Sequence, residues 1–403
     1  MMRNPLIRHR LKAAVAFMRH VTKAILGYPF IVNANGVDEA QFDKRALLIY
    51  VTEAFSIRSD HPTLLTHQNL KQATQIAEVL GELGYVVDVA DYLDNRLFPK
   101  HTYDLVISHR VDIGGMERAL RRGTLKVYLA TGMNHVIRNR IMREAYAEVS
   151  KRKGCQLEVS SFHSENMPFV SRADAIVGFG NSYTVGSWKE VSNATIYPFN
   201  NYGFVSTKSS VVSKDFALAK KRFLFFASGS QVRKGLDLLL EAFVETRELH
   251  LYVCSPFFAE REFCKCYHRE LFETPNIHPI GWVGVNSPQF EHLMTECAFV
   301  IHPAREEGQP GSVVQCMYAG LIPLVSIESG IDTDAFGRTF RDCSRDEIVR
   351  SITELSNLAP SELKSLSQNT RASCERKFSE DYFCTRWKEM IREIERKGAR
   401  VND

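Results

Sequence analysis

The chain has 403 residues, 44% of them hydrophobic and 24% charged, which is the composition and length of a soluble globular protein with two ordinary domains. No apolar run approaches the ~20 residues that span a bilayer, which excludes a membrane-spanning chain. The nine cysteines are scattered, which suits a reducing cytosol, and Cys264 and Cys266 are too closely spaced for a zinc knuckle, so no metal site is expected.

The net charge of +4 is unevenly placed. Arg3, Arg8, Arg10, Lys12, Arg19 and Lys23 all precede the first acid, Asp38. Ile7, Leu11, Ala14, Val15, Met18, Val21 and Ile25 recur among them at helical spacing. Residues 1–44 therefore read as a basic amphipathic extension. Two readings of its helix stand side by side: residues 1–28 lie on an anionic membrane surface, or the stripe packs on the protein body. The first would make the protein cytoplasmic and peripheral on the inner face of the membrane. Interleaved aromatics are lacking, so no nucleic-acid partner is expected.

A first domain is expected over 45–205. Residues 45–51 read as a buried strand, followed by a polar loop over 52–66 and a helix over 67–83 that ends at Gly84. Further strands are expected at 85–90, 103–108, 125–130, 174–178 and 194–197. Strands alternating with helices imply a parallel, doubly wound sheet. A linker is expected over 206–221, overlapping a Ser-, Asn- and Gly-rich stretch from Asn200 to Lys214. The pattern restarts in a second domain over 222–375, with strands at 222–227, 250–254, 277–280, 298–302 and 324–327. A helix over 376–403 carries Phe383, Trp387 and Ile391 on one side.

Two loops of the second half carry the chemistry. After the strand at 222–227 comes Ser228-Gly229-Ser230-Gln231-Val232-Arg233-Lys234-Gly235. Strand ends of open α/β sheets bind ligands, and a guanidinium beside an ammonium suits a phosphate. After the strand at 298–302 comes Glu307-Gly308-Gln309-Pro310-Gly311-Ser312, with Gln315 eight positions after the acid. Gly308, Pro310 and Gly311 permit a sharp turn and close approach to a ligand, Ser312 is placed to cap the next helix, and that helix start favours a diphosphate.

This pair of loops resembles the donor site of retaining GT-B glycosyltransferases of the group 1 type, whose acid-Gly loop is followed by a second acid after seven intervening residues. Glu307 matches the first acid, and Gln315 stands at the second. The resemblance covers 222–327 well and is topological in the first half, where a Gly-Gly pair usual after the first strand is missing. It implies an α/β GT-B fold, two Rossmann-like domains facing a central cleft, and a C-terminal helix crossing back to the first. It also implies a nucleotide-diphosphate sugar as donor substrate, no cofactor or metal, and a glycan or lipid-linked glycan acceptor, as in surface polysaccharide assembly. Arg233 and Lys234 would stabilise the leaving diphosphate and Glu307 would position the donor sugar. Ser228, Gly229, Ser230, Gly308, Gln309, Gly311, Ser312 and Gln315 would bind the donor.

In the first half, His61, His67 and Asn69 are candidates for the acceptor or cleft, although His67 also reads as a helix cap. His135, in the loop-to-helix stretch after 125–130, is the best candidate for a sugar contact. Ser161-Phe162-His163-Ser164-Glu165 and Gly178-Phe179-Gly180-Asn181-Ser182 are weaker candidates. The competing readings are a binding protein that has lost catalysis and a sugar-nucleotide epimerase on the same fold.

Overall fold

The structure is a computed structural model that describes residues 28–58, 61, 64, 67–95, 98–204, 214–285 and 287–402. The expected apolar stripe over residues 7–25 and its basic face lie outside them, as does 205–213 of the linker stretch.

Apolar runs form the central strands, which are covered on both faces. The first sheet contains β1 (Phe30–Ile31), β2 (Lys44–Tyr50), β3 (Tyr85–Asp91), β4 (Tyr103–Ser108), β5 (Leu120–Ala130), β6 (Ala175–Phe179) and β7 (Thr195–Phe199), in the order β1-β3-β2-β4-β5-β6-β7. All its pairings are parallel except that of β1 with β3. The second sheet contains β8 (Arg222–Phe226), β9 (His250–Cys254), β10 (Ile277–Pro279), β11 (Phe299–His302), β12 (Ile322–Ser326) and β13 (Arg338–Phe340), wholly parallel in the order β10-β9-β8-β11-β12-β13. Strand order reverses between β8 and β11. The crevice beyond their carboxyl ends is the place where such sheets bind ligands, and the loops after these two strands are the ones carrying Arg233-Lys234 and Glu307.

Two helices tie the halves together. His135–Lys153 leaves the first sheet but buries Met142, Ala145, Tyr146 and Val149 in the core built around the second sheet. Glu380–Asn402 returns from the second half and buries Phe383, Trp387 and Ile391 in the core of the first. The face expected of the last helix is the one that packs.

Three local expectations need correction. Residues 200–204 are not a free linker: Tyr202 is fully buried, and the backbone N–H of Asn201 donates to Gln309 Oε1 at 2.7 Å. Ser312 does not cap its helix. That helix is Gly311–Tyr318, with Pro310 in the cap position, so Ser312 lies inside the first turn. The cysteines are not all free thiols: Cys155, just past His135–Lys153, forms a disulfide with Cys266 at the end of Arg261–Cys266. Sequence spacing could not show this, because the partners are 111 residues apart.

Candidate active site

The two loops of the second half are fixed to each other before any ligand is considered. The Arg305 guanidinium makes a two-pronged contact with Asp237, 2.7 Å on each side, and its backbone N–H donates to Arg233 O at 2.8 Å. A bidentate pair of this kind sets orientation as well as energy. Gly235 makes the turn at φ +75°, where a Cβ would lie 2.0 Å from Pro303 O.

At their junction Lys234 Nζ donates to Glu307 Oε2, and Arg233 Nη1 donates to Glu307 Oε1 at 3.2 Å. Burial alone pushes the Glu307 carboxyl up, but Arg233 and Lys234 outweigh it and hold the group well below the ordinary carboxylate range. Burial pushes Lys234 down, against the pull of Glu307. Beneath them lies His302 at the end of β11, fully buried, with Nε2 3.9 Å from Glu307 Oε2. Burial lowers its pKa to about 4, although Glu307 opposes the shift, so the ring is neutral near pH 7.

Glu307 separates two cavities and lines both. The first, about 600 Å³, is mostly a first-half structure. His135 and Arg138 reach it from one helix, His109 and Arg110 from the end of β4, and Trp188 from its wall, with Arg233 opposite. His135 Nδ1 faces the Ser164 carbonyl at 2.7 Å. A carbonyl only accepts, so Nδ1 carries the proton. Burial lowers this histidine's pKa, which leaves Nε2 as an acceptor. The His163 ring packs against His135 at 4.6 Å. Lost hydration, then the charge of Arg138, push it to about 3.

The second cavity, about 500 Å³, takes Tyr50, His67 and Asn69 from the first half. From the second half it takes Ser228, Lys234, Trp282, Gly311, Ser312 and Gln315. Gln315 Nε2 is buried and has no hydrogen-bond partner among the described residues. A buried amide N–H without a partner is costly in an empty fold, and the residue that carries it lines the cavity.

Other expected site residues are placed differently. Gly308 packs against the first half, where a Cβ would lie 2.1 Å from Thr131 O, and Gly311 faces Gln68 in the same way. Their small size serves the approach of the two halves. The Gln309 amide donates to Asn200 Oδ1 and Gly330 O at 2.9 and 2.8 Å while accepting from Asn201. Gly229 and Ser230 line neither cavity; the Ser230 N–H donates to Glu260 Oε1 at 2.6 Å. His67 starts its helix without a side-chain cap bond, and the exposed His61 lines neither cavity. Asn181 caps the short helix Ser182–Gly186.

Arg138, His109, Arg110 and Trp188 were not singled out from sequence. Arg138 had a readable signal, since it follows His135 by one helical turn and shares its face. Among the described residues no group of three metal-ligating side chains converges, and no helix is long and apolar enough to cross a membrane.

Comparisons with known proteins agree with this architecture. Residues 220–357 match the family model described as glycosyl transferases group 1. No curated protein matches the sequence. Among solved structures, Anabaena HepE in complex with UDP and glucose superposes with a TM-score of 0.54 at 13% identity, covering 87% of this chain and 98% of that one. Sucrose-phosphate synthase from Thermosynechococcus elongatus gives 0.58 at 11%, covering 87% and 99%. WaaG, a glycosyltransferase of lipopolysaccharide biosynthesis, gives 0.52 at 14%, covering 87% and 98%. The protein is thus a two-sheet α/β protein of the GT-B class. Its second half contains the stretch that matches the glycosyl transferases group 1 model.

Proposed function

We propose that the protein is a retaining glycosyltransferase that moves a sugar from a nucleotide-diphosphate donor to a glycan or lipid-linked glycan acceptor. The observation that carries this reading is Glu307, held by Arg233 and Lys234 at the seam between two cavities. The second cavity suits the nucleotide: the buried Gln315 amide supplies a donor for a ribose hydroxyl, and Trp282 offers an aromatic face. The first cavity suits the acceptor and transferred sugar, where His135 Nε2 accepts a hydrogen bond from a hydroxyl. The solved HepE complexes, which contain UDP or UDP-glucose, support a nucleotide-sugar donor.

In the proposed reaction the bond from sugar C1 to the diphosphate oxygen breaks. A bond from C1 to the acceptor hydroxyl oxygen forms on the same face. The acceptor's proton passes to the departing phosphate oxygen, so no separate protein base is required. Arg233 and Lys234 stabilise charge growing on the leaving group, which is where electrostatic catalysis acts most strongly. The contact of Arg233 with Glu307 must loosen as the diphosphate binds, while Lys234 keeps Glu307 Oε2 and leaves Oε1 to face sugar hydroxyls. An acceptor carried on lipid is consistent with the basic segment 1–28; liposome flotation with and without it tests that part.

The central test is Arg233→Ala in purified protein, assayed for transfer from a panel of nucleotide sugars. Near-full turnover would remove the diphosphate role. Binding without turnover by the unaltered protein on any acceptor would favour the reading as a binding protein, and sugar interconversion without an acceptor would favour an epimerase.

A further inference from the structure

Glu306 stands directly before Glu307, and the proposed reaction does not use it. Only 2% of the residue is exposed. Its Oε1 accepts the backbone N–H of Met133 at 3.3 Å, and its Oε2 lies 3.4 Å from Arg233 Nη1 and 3.7 Å from Arg138 Nε. Met133 and Arg138 belong to the first half and Arg233 to the second, so one buried carboxylate touches both walls of the cleft. The fit at Met133 is close: a Cβ on Gly132 would sit 3.1 Å from Glu306 Oε1.

Arg233 Nη1 is crowded by three acceptors: Glu306 O, Glu306 Oε2 and Glu307 Oε1. A diphosphate that recruits Arg233 competes with all three. Neither carboxylate is stranded when it does so, because Glu307 keeps Lys234 while Glu306 keeps Arg138 and the Met133 N–H. Arg138, Arg233 and Lys234 face Glu306 and Glu307 here, so three cations meet two carboxylates; burial pushes the Glu306 carboxyl up, against the pull of Arg233 and Arg138.

We propose that Glu306 is a positioning residue with two separable roles. Its Oε1 holds the turn at Met133 against the cleft, and its Oε2 restrains Arg233 until a diphosphate displaces it. This rests on the diphosphate reading of the site. A purely structural carboxylate would weaken everything when altered; this arrangement predicts that two substitutions separate the two roles.

The test measures binding of UDP, GDP, ADP and dTDP by calorimetry, and hydrogen exchange at the Met133 amide, in the full chain. Glu306→Gln keeps an acceptor for Met133 but gives up the charge that competes for Arg233. The expected result is nucleoside diphosphate binding tighter by about threefold to tenfold, with Met133 still protected. Glu306→Ala removes the acceptor, and Met133 is expected to exchange at least about tenfold faster. Unchanged or weaker binding by Glu306→Gln overturns the proposal, as does unchanged exchange in Glu306→Ala. If the unaltered protein binds none of the four nucleotides, the diphosphate reading falls and this inference falls with it; if it binds and the variants misbehave, the inference alone falls.

Discussion

Lys234 Nζ donates to Glu307 Oε2 where the two cavities meet, with only 5% and 13% of the two side chains exposed. A pair this enclosed behaves unlike a surface salt bridge. Removing one partner strands the other, at a cost of about 3 kcal/mol, whereas removing both charges together costs far less. Lys234→Met is therefore expected to lower the unfolding midpoint clearly, since Arg233 only partly compensates Glu307. Lys234→Met combined with Glu307→Gln should recover most of that stability without recovering transfer. Thermal melts beside a transfer assay check both; equal stability of the single and double variants would show that the pair is not coupled.

Gln315 predicts the reverse separation. Its Nε2 is buried without a partner, so the fold gains nothing from it when the cavity is empty. Gln315→Leu should leave the melting temperature unchanged or higher, while nucleoside diphosphate affinity falls about tenfold through loss of one hydrogen bond. Gln315→Glu should keep or raise donor binding, because a carboxylate accepts from ribose hydroxyls, but it should cost stability in the empty protein. Calorimetry and thermal shift on the same samples decide it. A Leu variant that loses stability without losing affinity would assign Gln315 to the core.

Much of the scaffold was legible because it is written in consecutive residues. Runs such as Ala46-Leu47-Leu48-Ile49 and Phe223-Leu224-Phe225-Phe226 are fully or almost fully buried, and uninterrupted apolarity marks a strand covered on both faces. The loops with Arg233-Lys234 and Glu307 were legible for the same reason. β1 and β13 were not, since two or three residues carry no periodicity. Nor was the working of the cleft. Glu306 is a plain twin of Glu307 in sequence and acquires its role from Met133, 173 residues away. Gly308 was read as making room for a ligand, but what it admits is the Thr131 carbonyl, a distinction that only tertiary structure draws.

The Cys155–Cys266 disulfide joins the helix shared by both halves to Arg261–Cys266. The same junction holds Arg152 to Asp237 and Glu241 at 2.8 and 2.9 Å, and Lys153 to Glu270 at 2.6 Å. Closing a loop of this length restricts the unfolded chain by up to about 4–5 kcal/mol in the chain-entropy view. Reduction is expected to lower the unfolding midpoint without dissociating the halves, because the ion pairs and the buried face of the shared helix remain. Peptide mapping under non-reducing conditions should recover a 155–266 cross-link, and Cys155→Ser should be insensitive to reductant. Identical melts with and without reductant would mean that the bond contributes nothing.

His302 makes acid sensitivity specific to one residue. Burial lowers its pKa from 6.5 to about 4, and the unfolded chain takes up the proton at its ordinary value. Between those two pH values the unfolded state binds more protons than the folded one, so stability rises with pH across the window and falls as the solution is acidified through it. The full difference corresponds to about 3 kcal/mol. Above about pH 7.5 the ring is neutral in both states and contributes almost no slope. His302→Leu removes this titration, while Glu307 retains Arg233 and Lys234. Denaturant unfolding from about pH 4 to about pH 8.5 should therefore give a shallower acid limb for His302→Leu than for the unaltered protein, with the two curves running parallel above about pH 7.5. Parallel curves throughout would mean that the ring titrates alike in both states, and curves that diverge only above about pH 6.5 would mean that it is protonated within the fold, paired with Glu307.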